Sequence, residues 1–462
     1  MRRYLLVGVA IAVVGVGAGA CTNSVGGDVE DTSAGDEAGS DSGASATEAG
    51  SSSDGAAPAT DGDDGQGPVD GTVTYHRDLQ PLLERHCVGC HAPGKIAPYA
   101  LTSYEEVWPL REAIAEAVDQ QVMPPWNPRE GCAEYVGDPS LSAEAREMFG
   151  TWADGNGPVG DPADYVAPEL PTPSGISRVD VSLPIPEPYT PTLSPDDYRC
   201  FLMDWPESEV SYITGFQVVP GNIETVHHVI TYAISPSAVA AYEQLDADDP
   251  GPGYTCFGGP GASSGDWTAG RWLGAWAPGS ETSDFPEGTG LRIEPGSKVV
   301  VQIHYNATGD DIEPDQTVVD YKVDSAVERE AFMMPWANPD WLSGAMPIPA
   351  GAPSTVHTWE LDPTLVMSFL TDAIPGFSEF VIYSVSHHMH LRGVGGRQVI
   401  KRQDGSEECL VEMPRYDFNW QTRYRFKDHL KLPAGTKLEV TMGYDNTAGN
   451  PNNPDPTTEV KW

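Results

Sequence analysis

Residues 380–391 read FVIYSVSHHMHL, an apolar run that closes on three histidines. Its β-branched and aromatic residues favour extended backbone, and successive side chains of a strand alternate faces. The period places Phe380, Ile382, Ser384, Ser386, His388 and His390 on one face. Val381, Tyr383, Val385, His387, Met389 and Leu391 take the other. His388 and His390 then point the same way, one pleat apart, and can reach a single ion. Met389 falls among apolar neighbours and reads as packing. In VVVQIHYN (299–306) the alternation separates Val299, Val301, Ile303 and Tyr305 from Val300, Gln302 and His304. His304 therefore faces away from the apolar side. In TVHHVITYAI (225–234), His227 and His228 take opposite faces of a regular strand. Both can bind one ion only if the strand is bulged or the two rings use different nitrogens.

The rest of the chain suits short strands and turns. Among 462 residues there are 49 Gly and 42 Pro, and much of the sequence lacks helical periodicity. The length allows about three domains, and a 39% hydrophobic content suffices for packed cores. The formal charge of −42 argues against nucleic-acid binding, because phosphates repel such a surface.

The first residues, MRRYLLVGVAIAVVGVGAGAC, place a basic pair before an apolar run that ends in small residues and Cys21. The pattern resembles a bacterial lipoprotein signal spanning 1–21, cut before a lipidated Cys21. An uncleaved membrane anchor is the other reading. Either exports the remainder, lipid-anchored or membrane-bound on the periplasmic side, outer membrane or cell surface. Disulfides then become permissible. Residues 22–72 carry 12 acidic residues, no Lys or Arg, and little to bury, so they read as a disordered acidic Ser/Gly-rich linker.

Next comes Cys87-Val88-Gly89-Cys90-His91. Two thiols at this spacing can add to the two vinyl groups of one haem, with the adjacent histidine beneath the iron. A bare CxxC is also compatible with a redox pair or half a zinc site. The neighbouring histidine and the exported context select covalent haem c. Asp78 is placed to cap a short helix carrying Leu79, Leu82 and Leu83. Ser103-Tyr104-Glu105-Glu106 has capping-box spacing, followed by Val107, Leu110, Ile114 and Val118 at helical spacing, with Pro109 expected to kink the first turn. Leu141, Met148, Phe149 and Trp152 suggest a final helix. This plan resembles a small c-type cytochrome over 73–165. Met123, in VMPPW, is then the expected sixth ligand, with His76 and His86 as rivals.

Over roughly 195–460, the blocks HHVITYAI, LGAWAPGS, FPEGTGLRIEPGSKVVVQIHYN and HHMHLRG resemble, in order, the copper type II, ascorbate-dependent monooxygenases. RYDFNWQTRYRF and YDNTAGNPNNP resemble bacterial members fused to a c-type cytochrome. The resemblance implies two mainly antiparallel β-sandwich (jelly-roll) domains, at 176–329 and 330–462. It implies two copper ions. His227, His228 and His304 match the ligands of the electron-transfer copper, and His388 and His390 match the His-x-His of the oxygen-activating copper. It also implies a Cys200–Cys256 disulfide, leaving the pairing of Cys132 and Cys409 open. The family's third ligand to the second copper is a methionine beyond a stretch like the Glu459-Val460-Lys461-Trp462 that ends this sequence. Within the chain, Met442 is the candidate. Ser386 stands where the peptide-processing branch has an arginine, which disfavours a glycine-extended peptide substrate. His357, His387 and His429 read as structural.

The expectation is a multidomain protein: a small all-α cytochrome c domain followed by two β-sandwiches. It would hydroxylate a C–H bond of a small molecule with dioxygen. A haem would relay electrons from a periplasmic donor, with ascorbate or another reductant as a second source. The alternative is a non-catalytic copper and haem electron-transfer or copper-binding lipoprotein.

Overall fold

A computed structural model describes residues 10–17, 72–95, 97–170, 175–256, 259–261, 270–278, 283–307, 312–365, 379–418, 420 and 422–461. Cys21, the acidic stretch 22–71 and Trp462 lie outside the described residues.

The first body is helical. A short π turn, Tyr75–Leu79, runs into the helix Gln80–His86. The expected Asp78 cap works in reverse. Thr74 is the residue before the turn, and the Asp78 carboxylate reaches back to its N–H at 2.7 Å, so helical structure begins earlier than the sequence suggests. The capping box at Ser103 forms: its hydroxyl accepts from the Glu106 N–H, and the Glu106 carboxylate accepts from the Ser103 N–H at 3.1 Å. Pro109 interrupts the helix that follows. A 3₁₀ turn at Trp108–Leu110 separates Tyr104–Val107 from Arg111–Asp119, because proline offers no N–H to the helical ladder. Ala143–Asp154 closes the body, burying Met148, Phe149 and Trp152 against Leu79, Leu82, Leu83, Val107 and Val118.

Between the last two helices the chain leaves this body. Trp126, Ala133 and Tyr135 pack into a core far along the sequence. The Tyr135 hydroxyl donates to the Leu410 carbonyl at 2.6 Å, and Cys132 is bonded to Cys409. The cysteine pair that the sequence left open thus staples the helical region to the C-terminal sheets. The stretch expected as one module over 73–165 sends this strap onto another domain.

The remainder is mainly antiparallel sheet. A five-stranded sheet has Lys298–Asn306 at its centre, paired with Asp196–Asp204 and Val226–Ile234. A four-stranded sheet contains Thr355–Leu361, Lys437–Tyr444, Gly393–Lys401 and Glu407–Met413. A nine-stranded sheet serves both. Two of its strands divide their side chains between two cores. Phe332, Met334 and Trp336 enter the C-terminal core, whereas Ala331 and Met333 enter the N-terminal one. Phe380 and Ile382 similarly face one core, and Val381 and Tyr383 the other. The mainly antiparallel sheets are consistent with β-sandwich domains, and these two strands each face both cores.

Part of the expected leader joins that layer. Ala10–Gly17 forms a strand between Arg329–Trp336 and Glu379–His387, antiparallel to both. Among the described residues, no helix is long and apolar enough to cross a membrane.

Candidate metal centre

The pairing of Lys298–Asn306 with Val226–Ile234 shifts register beside the histidines. His304 opposes His228, but Tyr305 opposes Val226, so His227 is an extra residue in a bulge. A bulge re-aims side chains that a regular strand would send to opposite faces. Here it brings consecutive imidazoles together. His227 Nδ1 lies 3.2 Å from His228 Nδ1, which lies 3.3 Å from His304 Nδ1. Three nitrogens about 2.0 Å from one ion at near-tetrahedral angles lie about 3.3 Å apart. Among the described residues, these three form the histidine, cysteine or carboxylate group able to hold a metal, with ligand atoms within 4.8 Å of one another.

The far side of His304 fixes which nitrogen is free. Its Nε2 lies 2.9 Å from Asp196 Oδ1, and its ring lies flat on Tyr198 at 4.2 Å. An Nε2–H donating to the carboxylate leaves Nδ1 as a bare lone pair, the form a metal needs. Burial lowers the pKa of His304, against an opposing pull from Asp196. Burial lowers that of His227 also. His228 is pushed well below 6.5 by burial, then by His304 and His227, then by His388 and His390. The donor set is thus neutral at pH 7, and a cation between the rings would relieve the mutual repulsion of three lone pairs. The residues fit a copper ion.

Asp196 and Tyr198 were missed by sequence reasoning. The signal was the alternation through Cys200, which places Tyr198 and Asp196 on its face. Only the register, with His304 opposite Tyr198 and Gln302 opposite Cys200, shows that this is the histidine face. Cys200 is bonded to Cys256, as the resemblance implied.

The second cluster follows a different local rule. Pairing with Tyr424–Pro433 breaks register between Ile382 and Ser384. Beyond that break Val385 and Met389 join Phe380 and Ile382 in the C-terminal core. The simple alternation, which grouped Phe380 and Ile382 with His388 and His390, is corrected: an irregularity exchanges the faces midway. The strand ends at His387, and His388 and His390 follow it partly buried, with ring centroids 5.0 Å apart and planes at 86°. His390 is held down to about 3 by burial and by His388.

Met389 and Met442 both lie in the C-terminal core, and the Met442 sulfur accepts from the Tyr444 hydroxyl at 3.3 Å. His387 is buried against Gly396, beside Gln398. His357 meets the Pro347 carbonyl at 3.0 Å, and His429 packs edge-on to Tyr383. The Asn-rich block near the C-terminus has a local task. Asn446 accepts from Arg392 at 2.8 Å and donates to the Ile348, Pro349 and Thr458 carbonyls, anchoring the turn after His390.

In the helical region, Cys87 and Cys90 are free thiols, unlike the four cysteines in disulfides. His91 Nδ1 lies 2.9 Å from the Tyr99 carbonyl, which leaves Nε2 as the available nitrogen. Met123 is 40% exposed, and His76 and His86 are engaged with Gln80 and the Pro139 carbonyl.

The family model described as the copper type II ascorbate-dependent monooxygenase, N-terminal domain, matches residues 184–311, which include His227, His228 and His304. This supports the monooxygenase family and its copper and ascorbate dependence for that part of the chain. No curated protein matches the chain. A solved structure titled "Structure of allantoicase" overlaps 54% of this chain and 76% of its own, at 8% identity and a TM-score of 0.10.

Proposed function

We propose that this chain is a copper-dependent monooxygenase that inserts oxygen from dioxygen into a C–H bond of a small molecule. The observation that carries the reading is the approach of three Nδ1 atoms at 3.2 and 3.3 Å inside the segment matched by the family. His227, His228 and His304 would hold one copper, and His388 and His390 a second. Copper supplies a one-electron couple and an open position for dioxygen. The protein's own part is positional. Asp196 holds the His304 tautomer, Tyr198 fixes the ring plane, and Arg392 with Asn446 braces the turn after His390.

Electrons would come from a periplasmic donor through haem c on Cys87 and Cys90, with His91 as proximal ligand and Met123 as sixth. Free thiols and the Tyr99 contact support this. The exposure of Met123 means that its side chain must turn inward to serve. Lipid anchoring at Cys21 is part of the reading. Cleavage there would remove Ala10–Gly17, the strand that lies between Arg329–Trp336 and Glu379–His387.

One observation favours a non-catalytic copper and haem carrier instead. Met442, the in-chain candidate for a third ligand at the second site, has its sulfur engaged by Tyr444. Metal analysis with oxygen uptake separates the two. The monooxygenase reading requires two coppers per chain and oxygen consumption matched by hydroxylated product. Copper binding without product formation would establish the carrier.

A further inference from the structure

The loop carrying Met123 is tied to the C-terminal sandwich, beside the turn that bears His388 and His390. Arg415 is the link. Its guanidinium donates to the Gln121 carbonyl at 2.7 Å and to that of Gln120 at 3.3 Å, two and three residues before Met123. The next residue, Tyr416, is buried. Its hydroxyl accepts from the Met389 N–H at 2.9 Å and donates to the Met389 carbonyl at 2.7 Å. Met389 lies between His388 and His390. Two residues thus join the Met123 loop to the His-x-His backbone through hydrogen bonds.

The other side of the loop is held as well. Trp126, three residues after Met123, packs edge-on to Tyr424 at 5.0 Å and to Tyr135 at 5.8 Å. Tyr424 opposes Val385 on the strand leading to His388. Asn127 donates to the Trp420 carbonyl at 3.2 Å, and the Arg129 N–H donates to that of Glu412 at 2.7 Å. Cys132–Cys409 closes the strap covalently.

We propose that the Cys87–His91 module is docked to serve the His388/His390 pair directly, with Arg415 and Tyr416 as positioning residues and the Cys132–Cys409 strap as the clamp. The inference rests on the reading of Cys87–His91 as a haem site and of His388/His390 as a copper site. The transfer it concerns is one electron: ferrous haem iron becomes ferric, one cupric ion becomes cuprous, and no proton moves. The haem is re-reduced by an external one-electron donor.

The test uses the full chain carrying haem and copper, without oxygen. A photoreduced flavin delivers an electron to the haem, and reoxidation of the haem is followed by absorbance. A fast phase should survive in His227→Ala/His304→Ala and vanish in His388→Ala/His390→Ala. It should be lost in Arg415→Ala, whose side chain is exposed, and partly restored in Arg415→Lys. Amide exchange at Met389 in the metal-free protein should rise in Tyr416→Phe. A fast phase that follows His227 and His304, or ignores Arg415, overturns the docking role while leaving the haem and copper reading intact. Absence of covalent haem, or of copper from the 388/390 pair, is measured before any flash and overturns both.

Discussion

His304 Nε2 and Asp196 Oδ1 lie 2.9 Å apart across neighbouring strands, and this contact decides what the opposite edge of the imidazole can do. With the proton held on Nε2, Nδ1 is a lone pair aimed at His228.

Asp196→Asn keeps the shape but weakens control of the tautomer. Copper affinity at the three-histidine cluster should fall about 10–100-fold, as for other partners that orient a ligand from behind. A copper titration of the His388→Ala/His390→Ala background isolates the cluster. Unchanged affinity would remove Asp196 from the account.

Copper should stabilise the fold measurably. At free copper 100 times the dissociation constant, the gain is about 2.7 kcal/mol for one site, seen as a rise in Tm. Chelation should reverse it. A variant carrying His227→Ala and His304→Ala should lose the part due to this cluster.

Acid should destabilise the metal-free protein before its carboxylates titrate. His387 is buried, and its pKa falls to about 4, first through burial and then through His388. Below pH 6.5 the unfolded chain binds a proton that the folded chain refuses. The stability is therefore full above 6.5 and declines as pH falls toward 4, by roughly 3 kcal/mol for this group. Urea midpoints between pH 7 and 5.5 should drop, and more shallowly in His387→Gln. A parallel slope in that variant would place the effect elsewhere.

Gly396 makes room for His387. A Cβ there would lie 2.2 Å from the His387 Nε2 and 2.7 Å from the Thr441 carbonyl. Gly396→Ala should cost about 1–3 kcal/mol, the usual range for overpacking, and should disturb the turn that follows. Equilibrium unfolding reads the first effect and copper binding at His388/His390 the second.

Replacing both Cys132 and Cys409 by serine should lower stability by about 2–4 kcal/mol. The strap 126–136 should become sensitive to limited proteolysis, while the helical body keeps its far-ultraviolet signal. Equal protection with and without the bond would show that the aromatic contacts of Trp126 and Tyr135 suffice.

The sequence by itself determined the local rules. Alternation put His304 on the face away from Val299, Val301 and Ile303, Ser103 and Glu106 made their capping box, and Pro109 broke the helix, because each effect acts within a few residues. Tertiary structure decided whatever depended on a neighbour distant in the chain. The bulge at His227 belongs to the pairing with Lys298–Asn306, where His304 opposes His228 and Tyr305 opposes Val226. The exchange of faces between Ile382 and Ser384 likewise belongs to the pairing with Tyr424–Pro433. The Cys132–Cys409 bond, the Arg415 bridge and the place of Asp196 behind His304 all join residues that no local period relates. A strand's own pattern sets its two faces, but the strand paired with it sets where that pattern slips, and the candidate metal residues lie at or just beyond those slips.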